Sequence, residues 1–231
     1  MNLSDSYMEL LAQSSPQLLE GLVVTLELLV GSCLLGFMLA VPLAIARVSG
    51  QSVVSNLAKA YSALMRGTPL LVQIFIFYYG LSQFETLRNS LVWGLLGDSF
   101  YCGLVVLTLN LAAYMAEDVR AGIIAVPVGE IEAARAFGLS HFQCYRRIII
   151  PRALRIVTPV LGNQVIAQLK ATALVSTITV LDLTGVVRRL AAKSYTTDAL
   201  VMAGVMYALL TLLITWAVHR LEHQATKHVR R

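Results

Sequence analysis

The chain has 231 residues, of which 57% are hydrophobic and only 13% charged, and its mean hydropathy is +0.72. Soluble domains carry about a quarter charged residues, so this composition calls for membrane spans joined by short loops. No stretch is long enough for a second, soluble domain, and residues 1–231 read as a single transmembrane domain. The net charge of +5 would suit nucleic acid, but the basic residues cluster at the edges of apolar runs, where orientation and anionic headgroups account for them; no nucleic-acid partner is expected.

Asp5 and Glu9 stand where a secretory signal needs positive charge, so the first apolar run is expected to stay in the mature protein. That run, Gly21 to Ala46, is interrupted only by Glu27, which is expected to pair or to snorkel. The second, Pro69 to Phe84, carries no charge and extends backward through Tyr61-Ser62-Ala63-Leu64-Met65. Arg66-Gly67-Thr68-Pro69 interrupts it, because Pro69 breaks or kinks a continuous helix and Gly67 eases the bend. Such a break serves equally as a gate element or as the junction between a lead-in helix and the span.

The third run is Ser99 to Ala116. Asn110 and Glu117, seven residues apart, fall on similar sides of a helix. Glu117 can face a cavity and attract a cationic substrate, or pair with Arg120 at the helix end; the sequence leaves both open. A polar segment follows, Val126 to Ser140, which parses as a short helix, a turn and the start of a second helix. Pro127 suits a first helical position, and Gly138 suits the left-handed residue just past the helix end. Ser140 and Gln143 have capping-box spacing for the second helix, which is expected to run until Pro151 interrupts it. The adjacent Ala133 and Ala134 leave a flat surface that another protein can approach closely.

Ile156 to Leu181 is the fourth run, with Lys170 its lone charge. Asn163, Gln164, Gln168, Lys170, Thr172 and, further on, Ser176 give a polar stripe at roughly helical spacing. It reads as a translocation pathway, since charges inside membranes are costly and face cavities or partners; a structural seam between helices is the alternative. Ala199 to Val218 is the fifth run. Each run approaches the ~20 residues that cross ~30 Å of hydrocarbon, and backbone satisfaction in lipid makes them helices. The fold is therefore expected to be all-α and polytopic, with about five transmembrane helices.

Basic residues follow the first span (Arg47, Lys59), the third (Arg120, Arg135, Arg146, Arg147, Arg152, Arg155) and the fifth (Arg220, Lys227, Arg230, Arg231). The positive-inside rule then places the N-terminus outside and both the loop around Glu132 and the C-terminus inside. Arg188, Arg189 and Lys193 run against it, and that loop is expected to fold partly back onto the protein. Cys33, Cys102 and Cys144 are isolated and assigned to packing. No catalytic or metal-binding grouping of His141, His219, His223 and His228 with carboxylates is found. There is no Gly-x-Ser-x-Gly turn and no Gly-Lys-Ser/Thr phosphate loop, so ATP, if it drives this protein, binds another polypeptide.

Glu132-Ala133-Ala134, three residues, Gly138, nine residues, then Ile148, Ile150 and Pro151 resembles the signature loop of ABC-importer permease subunits. Arg66-Gly67-Thr68-Pro69-Leu70-Leu71-Val72-Gln73 and Thr108-Leu109-Asn110 with Tyr114 and Glu117 resemble the polar amino acid branch of that family. The similarity to the histidine and lysine/arginine/ornithine permease subunits runs from Gly21 to the last apolar run. It implies the type I importer permease fold in a bacterial inner membrane, with residues of about 120–155 contacting a cytoplasmic ATPase present in two copies. It also implies a second permease subunit, the same or homologous, and a periplasmic solute-binding protein, in a heteromeric complex. ATP and magnesium would sit on the ATPase, with no cofactor on this chain. Asn110 and Glu117 match family positions, Asp182-Leu183 resembles a position near the outer mouth, and Thr172-Ala173-Leu174 resembles the variant of the basic amino acid subgroup. That tilts the expected substrate toward cationic or opine-like amino acids. The competing expectations are an ion-coupled amino acid carrier, which would show internal repeats and more spans, and a small channel without an ATPase.

Overall fold

The computed structural model describes residues 3–50, 52–195 and 197–226; Lys227, His228, Arg230 and Arg231 of the basic tail lie outside the described residues. Regular structure among the described residues is entirely helical. In chain order the helices are α1 (Leu3–Val48), α2 (Ser52–Gly67), α3 (Leu70–Phe75), α4 (Glu85–Arg88), α5 (Trp93–Leu96), α6 (Ser99–Ile124), α7 (Val128–Ala136), α8 (His141–Cys144), α9 (Ile150–Thr172), α10 (Leu183–Ser194) and α11 (Asp198–Thr226). Wide π-turns at Ile76–Gly80 and Tyr145–Ile149 extend α3 and join α8 to α9, and 3-10 turns follow at Leu81–Gln83 and Ala173–Ile178.

Three helical stretches are long and apolar enough to cross a membrane, Ser15–Val48, Ser99–Ile124 and Asp198–Arg220, and the number rises to five if each of two bent helix pairs counts as one span. The bent pairs are Ser52–Gly67 with Leu70–Gln83, and His141–Ile178 with Leu183–Lys193. Counted as spans, the second and fourth are helices bent sharply at a short break rather than continuous ones. At the first break Pro69 is extended, with φ −63° and ψ 132°, as its missing N–H and fixed ring require. The backward extension through Tyr61 to Met65 belongs to α2, a separate helix.

Boundaries moved where hydropathy misjudged how far backbone bonding propagates. The third span runs on past Ala116 to Ile124, because the charges there are matched: Glu117 by arginines and Asp118 by Gln164. Pro127 occupies the N-cap, with ψ 130°, rather than the first helical position. Pro151 does not stop the helix: it is the second residue of α9, directly after a wide turn in which the i→i−4 ladder has already changed register, so its absent N–H costs little.

The chain resolves into two compact units. In the unit of residues 1–34, 68–108 and 166–214, one buried cluster gathers Leu18, Leu183, Val187, Ala199 and Met202, and another gathers Leu28, Ile74, Val106, Leu107, Val175 and Ile178. Here α10 buries Leu183, Val186 and Val187 and exposes Arg188, Arg189 and Lys193. That amphipathic division explains how a basic segment sits on an apolar core. In the unit of residues 35–67, 109–165 and 215–231, the core is Ala44, Val119, Ile123, Val126, Ala134, Cys144, Ile149, Ala153 and Val157. Gly122 lets α6 and α9 approach closely there, since a Cβ at that position would meet Val157 Cγ1 at 2.7 Å and the Ala153 carbonyl at 2.8 Å. Small residues at helix contacts do this work in membranes, where lipid removes the hydrophobic drive for association. The three cysteines are free and at least partly buried.

Candidate functional site

The loop around Glu132 is built by local rules. Helix α7 closes in a Schellman arrangement: Gly138 takes φ +79°, its N–H bonds the Arg135 carbonyl at 2.9 Å, and the Leu139 N–H bonds the Ala134 carbonyl at 3.2 Å. Only glycine adopts that φ without cost. The capping box then starts α8, with the Gln143 N–H donating to Ser140 Oγ at 3.3 Å and the Ser140 N–H donating to Gln143 Oε1 at 2.9 Å. An ion pair between Arg152 Nε and Glu130 at 3.4 Å ties α9 to α7.

The seven coupling candidates divide by burial. Glu132, Ala133, Gly138 and Pro151 are exposed, whereas Ala134 is buried and Ile148 and Ile150 pack against the core. The first set forms a surface and the second anchors it. Two residues of this surface escaped the sequence reading: Phe137, 86% exposed, and Phe142, 70% exposed. The signal was an aromatic side chain at the end of each of two helices in an otherwise polar segment. Ile45, His141, Phe142, Tyr145, Arg146 and Ile150 line an adjoining apolar cleft of about 470 Å³.

The polar stripe of the fourth span does not share one face. At about 100° per residue, Asn163 and Lys170 fall together, while Gln168 and Thr172 lie on the opposite side; the structure exposes the first pair and buries the second. Gln168 Nε2 donates to Ser32 Oγ at 2.9 Å, and the Thr172 hydroxyl donates to the Leu169 carbonyl at 2.6 Å. Gln164 Nε2 donates to Asp118 at 2.8 Å. These groups form a seam. Lys170 instead lines a cavity of about 640 Å³ with Tyr207 and Thr211. Ser176 accepts from Arg188 at 3.4 Å.

Glu117 is held by Arg47 and by Arg120, and Arg66 approaches to 3.7 Å while stacking its guanidinium over the Tyr114 ring at 5.3 Å. Three guanidiniums thus surround one carboxylate, and the pairing with Arg120 that the sequence offered is present. Asn110 Nδ2 donates to the Met65 carbonyl at 3.0 Å, satisfying an acceptor in the last turn of α2. Across the break, Gln73 Nε2 donates to the Thr68 hydroxyl at 2.8 Å and to the Thr68 carbonyl at 3.1 Å. Gly67 is exposed, with open space around it. Asp182 is fully buried: its carboxylate accepts from the Gly185 N–H at 3.0 Å and the Thr184 N–H at 3.2 Å, capping α10, and from the Tyr207 hydroxyl at 3.3 Å. Glu27 has no ion-pair partner among the described residues and lies exposed beside Val23, Leu26, Val30 and Gly31.

An all-helical membrane unit with broken second and fourth spans and an exposed helix-turn-helix between the third and fourth defines an importer permease of the type I fold. Residues 16–227 match the family described as binding-protein-dependent transport system inner membrane component, and the chain belongs to that family. It is 44% identical to the octopine transport system permease protein OccM of Rhizobium radiobacter over 87% of this chain and 83% of that protein. It is 38% identical to the histidine/lysine/arginine/ornithine transport system permease protein HisM of Escherichia coli strain K12, over 91% and 89% of the two chains. The structure superposes on an amino acid ABC transporter crystallised with histidines at a TM-score of 0.81 and 32% identity, covering 92% of this chain and 96% of that one. A methionine ABC transporter, MetNI, shares the fold at a TM-score of 0.78 and 20% identity, with 93% and 99% covered. The chain is therefore a multi-pass inner-membrane permease subunit of an ABC importer, and the ion-coupled carrier and channel readings fall.

Proposed function

We propose that this permease carries basic amino acids or opine-like derivatives across the inner membrane, in a complex with two copies of a cytoplasmic ATPase, a second permease subunit and a periplasmic solute-binding protein. The N-terminus lies in the periplasm and the C-terminus in the cytoplasm, a reading supported by the distribution of basic residues. Residues 1–231 act as one transmembrane domain, and ATP with magnesium binds the ATPase alone. The substrate class is supported by relatives named for octopine, nopaline, histidine, lysine, arginine and ornithine.

The observation that carries the coupling role is the rigid turn at Gly138, which projects Glu132, Ala133 and Phe137 from a loop anchored by Ala134, Ile148 and Ile150. Closure of the ATPases on ATP moves this anchored unit, and the broken helices at Arg66 to Pro69 and at Thr179 to Asp182 permit alternation of the pathway. Within the pathway, Lys170 receives the substrate carboxylate at the cavity it shares with Tyr207 and Thr211. Asn163 and Ser176 are further candidates for contact with substrate, while Asn110, Glu117, Gln164 and Thr172 each fix the helix they bond, and Asp182 caps α10 near the outer mouth. Purification of the tagged protein from its host in mild detergent tests the reading. An ATPase subunit should accompany it, and substrate-loaded binding protein should stimulate hydrolysis after reconstitution; a folded permease without an ATPase partner would overturn the proposal.

A further inference from the structure

The surroundings of Glu117 hold more positive charge than the carboxylates there neutralise. Arg47, Arg66, Arg120 and Lys59 are set against Glu117 and Asp118, so two positive charges remain after full pairing. Of these groups Arg47, Lys59, Arg66 and Glu117 line a cavity of about 500 Å³, together with Ser62 and Tyr114, and three cations to one carboxylate leave the same surplus there. Two buried polar atoms there have no hydrogen-bond partner, Arg47 Nε and Ser62 Oγ, and Ser62 is only 2% exposed. Buried donors are rarely left unmatched. A surplus of cations lining one cavity, with an unmatched guanidinium N–H and an unmatched hydroxyl buried on two of the lining residues, supplies the donors of an oxyanion site.

We propose that this cavity binds a phosphate oxyanion, supplied by the headgroup of an anionic phospholipid. The depth favours a lipid. Arg47 lies in the last turn of α1, and Glu117 and Arg120 in the last three turns of α6, so the cavity sits toward the ends of two spans, where hydrocarbon gives way to headgroups. Helix α2 adds the apolar half of such a site. It turns Ser55, Ala58 and Ser62 inward, sets Lys59 and Arg66 beside them, and leaves Val53, Leu57 and Leu64 exposed, so that basic groups and an apolar face that lipid can cover sit on one amphipathic helix. The site goes beyond the transport reading and requires no substrate.

The test titrates the full-length protein, with any subunits that accompany it in detergent, with short-chain phosphatidylglycerol, short-chain phosphatidylcholine and inorganic phosphate, following melting temperature and lipid retention by native mass spectrometry. Phosphatidylglycerol should raise the melting temperature saturably and remain bound, and phosphatidylcholine should do neither. Lys59 is exposed and bonded to nothing among the described residues, so Lys59→Gln spares the fold. It should weaken phosphatidylglycerol binding about fivefold, the loss expected for one basic residue at an anionic surface. Ser62→Ala should weaken it at unchanged charge. Inorganic phosphate producing the same shift and displacing the lipid would keep the oxyanion site and overturn the lipid assignment. Equal responses to both lipids, or unchanged binding in both variants, would overturn the site itself.

Discussion

Gly138→Val probes whether the shape of the docking turn, rather than its mere presence, transmits ATP-driven motion. The residue sits at φ +79°, where a side chain costs about 1–2 kcal/mol and a β-branched one is least tolerated. A Cβ there meets no atom within 4 Å, so the cost inside the chain is conformational alone. Folded domains have roughly 5–15 kcal/mol in hand, and the spans should form at normal levels. The Schellman bonds from Gly138 and Leu139 depend on the left-handed residue, so valine reopens the turn and displaces Phe137 and the Glu132 surface. Reconstituted Gly138→Val should lose most of the binding-protein-stimulated ATP hydrolysis and uptake. Gly138→Asn, whose side chain tolerates the left-handed region, should keep the larger part of both. Normal uptake by Gly138→Val at normal protein level would refute the reasoning, as would equal loss in both variants.

Glu117→Gln leaves Arg47, Arg66 and Arg120 facing a neutral amide and should destabilise the protein by about 3 kcal/mol, the low end for breaking a buried pair, since the Glu117 side chain is 22% exposed. Thermal unfolding in detergent reads this, and adding Arg47→Met should recover part of the loss; an unshifted melting temperature would show the cluster to be dispensable. Asp182→Ala removes both N–H partners of the α10 cap and should cost about 1–2 kcal/mol, whereas Asp182→Ser should keep most of the stability. Equal melting of wild type and Asp182→Ala would deny the cap. Lys170→Gln should raise the concentration of substrate needed for half-maximal uptake without lowering the melting temperature, because Lys170 is exposed at its cavity; Lys170→Arg should restore part of the affinity, and an unchanged uptake curve would remove Lys170 from the pathway.

Class, helical content and the turn at Gly138 were legible because each is decided by neighbours in sequence. Long uncharged runs have only one backbone solution in lipid. Pro69 breaks its helix by its own ring, Gly138 takes the left-handed turn by lacking a Cβ, and Ser140 finds Gln143 three residues away. The roles of the intramembrane polar groups were not legible in that way. The set from Asn163 to Ser176 looked like one stripe, yet burial divided it, and only packing told Gln168 to meet Ser32 and left Lys170 facing a cavity. Glu117 had an evident partner in Arg120, but its bond to Arg47 spans 70 positions, and this contact adds a second full positive charge beside the carboxylate. Asp182 resembled an outer-mouth position, but only the fold showed its carboxylate buried, capping the first turn of α10 and accepting from Tyr207. Local bonding, caps and steric limits depend on a few adjacent residues and are written in the sequence by itself. The charge balance of a cavity depends on which distant helices meet, and that was decided only when the tertiary structure brought α1, α2 and α6 together around a single carboxylate.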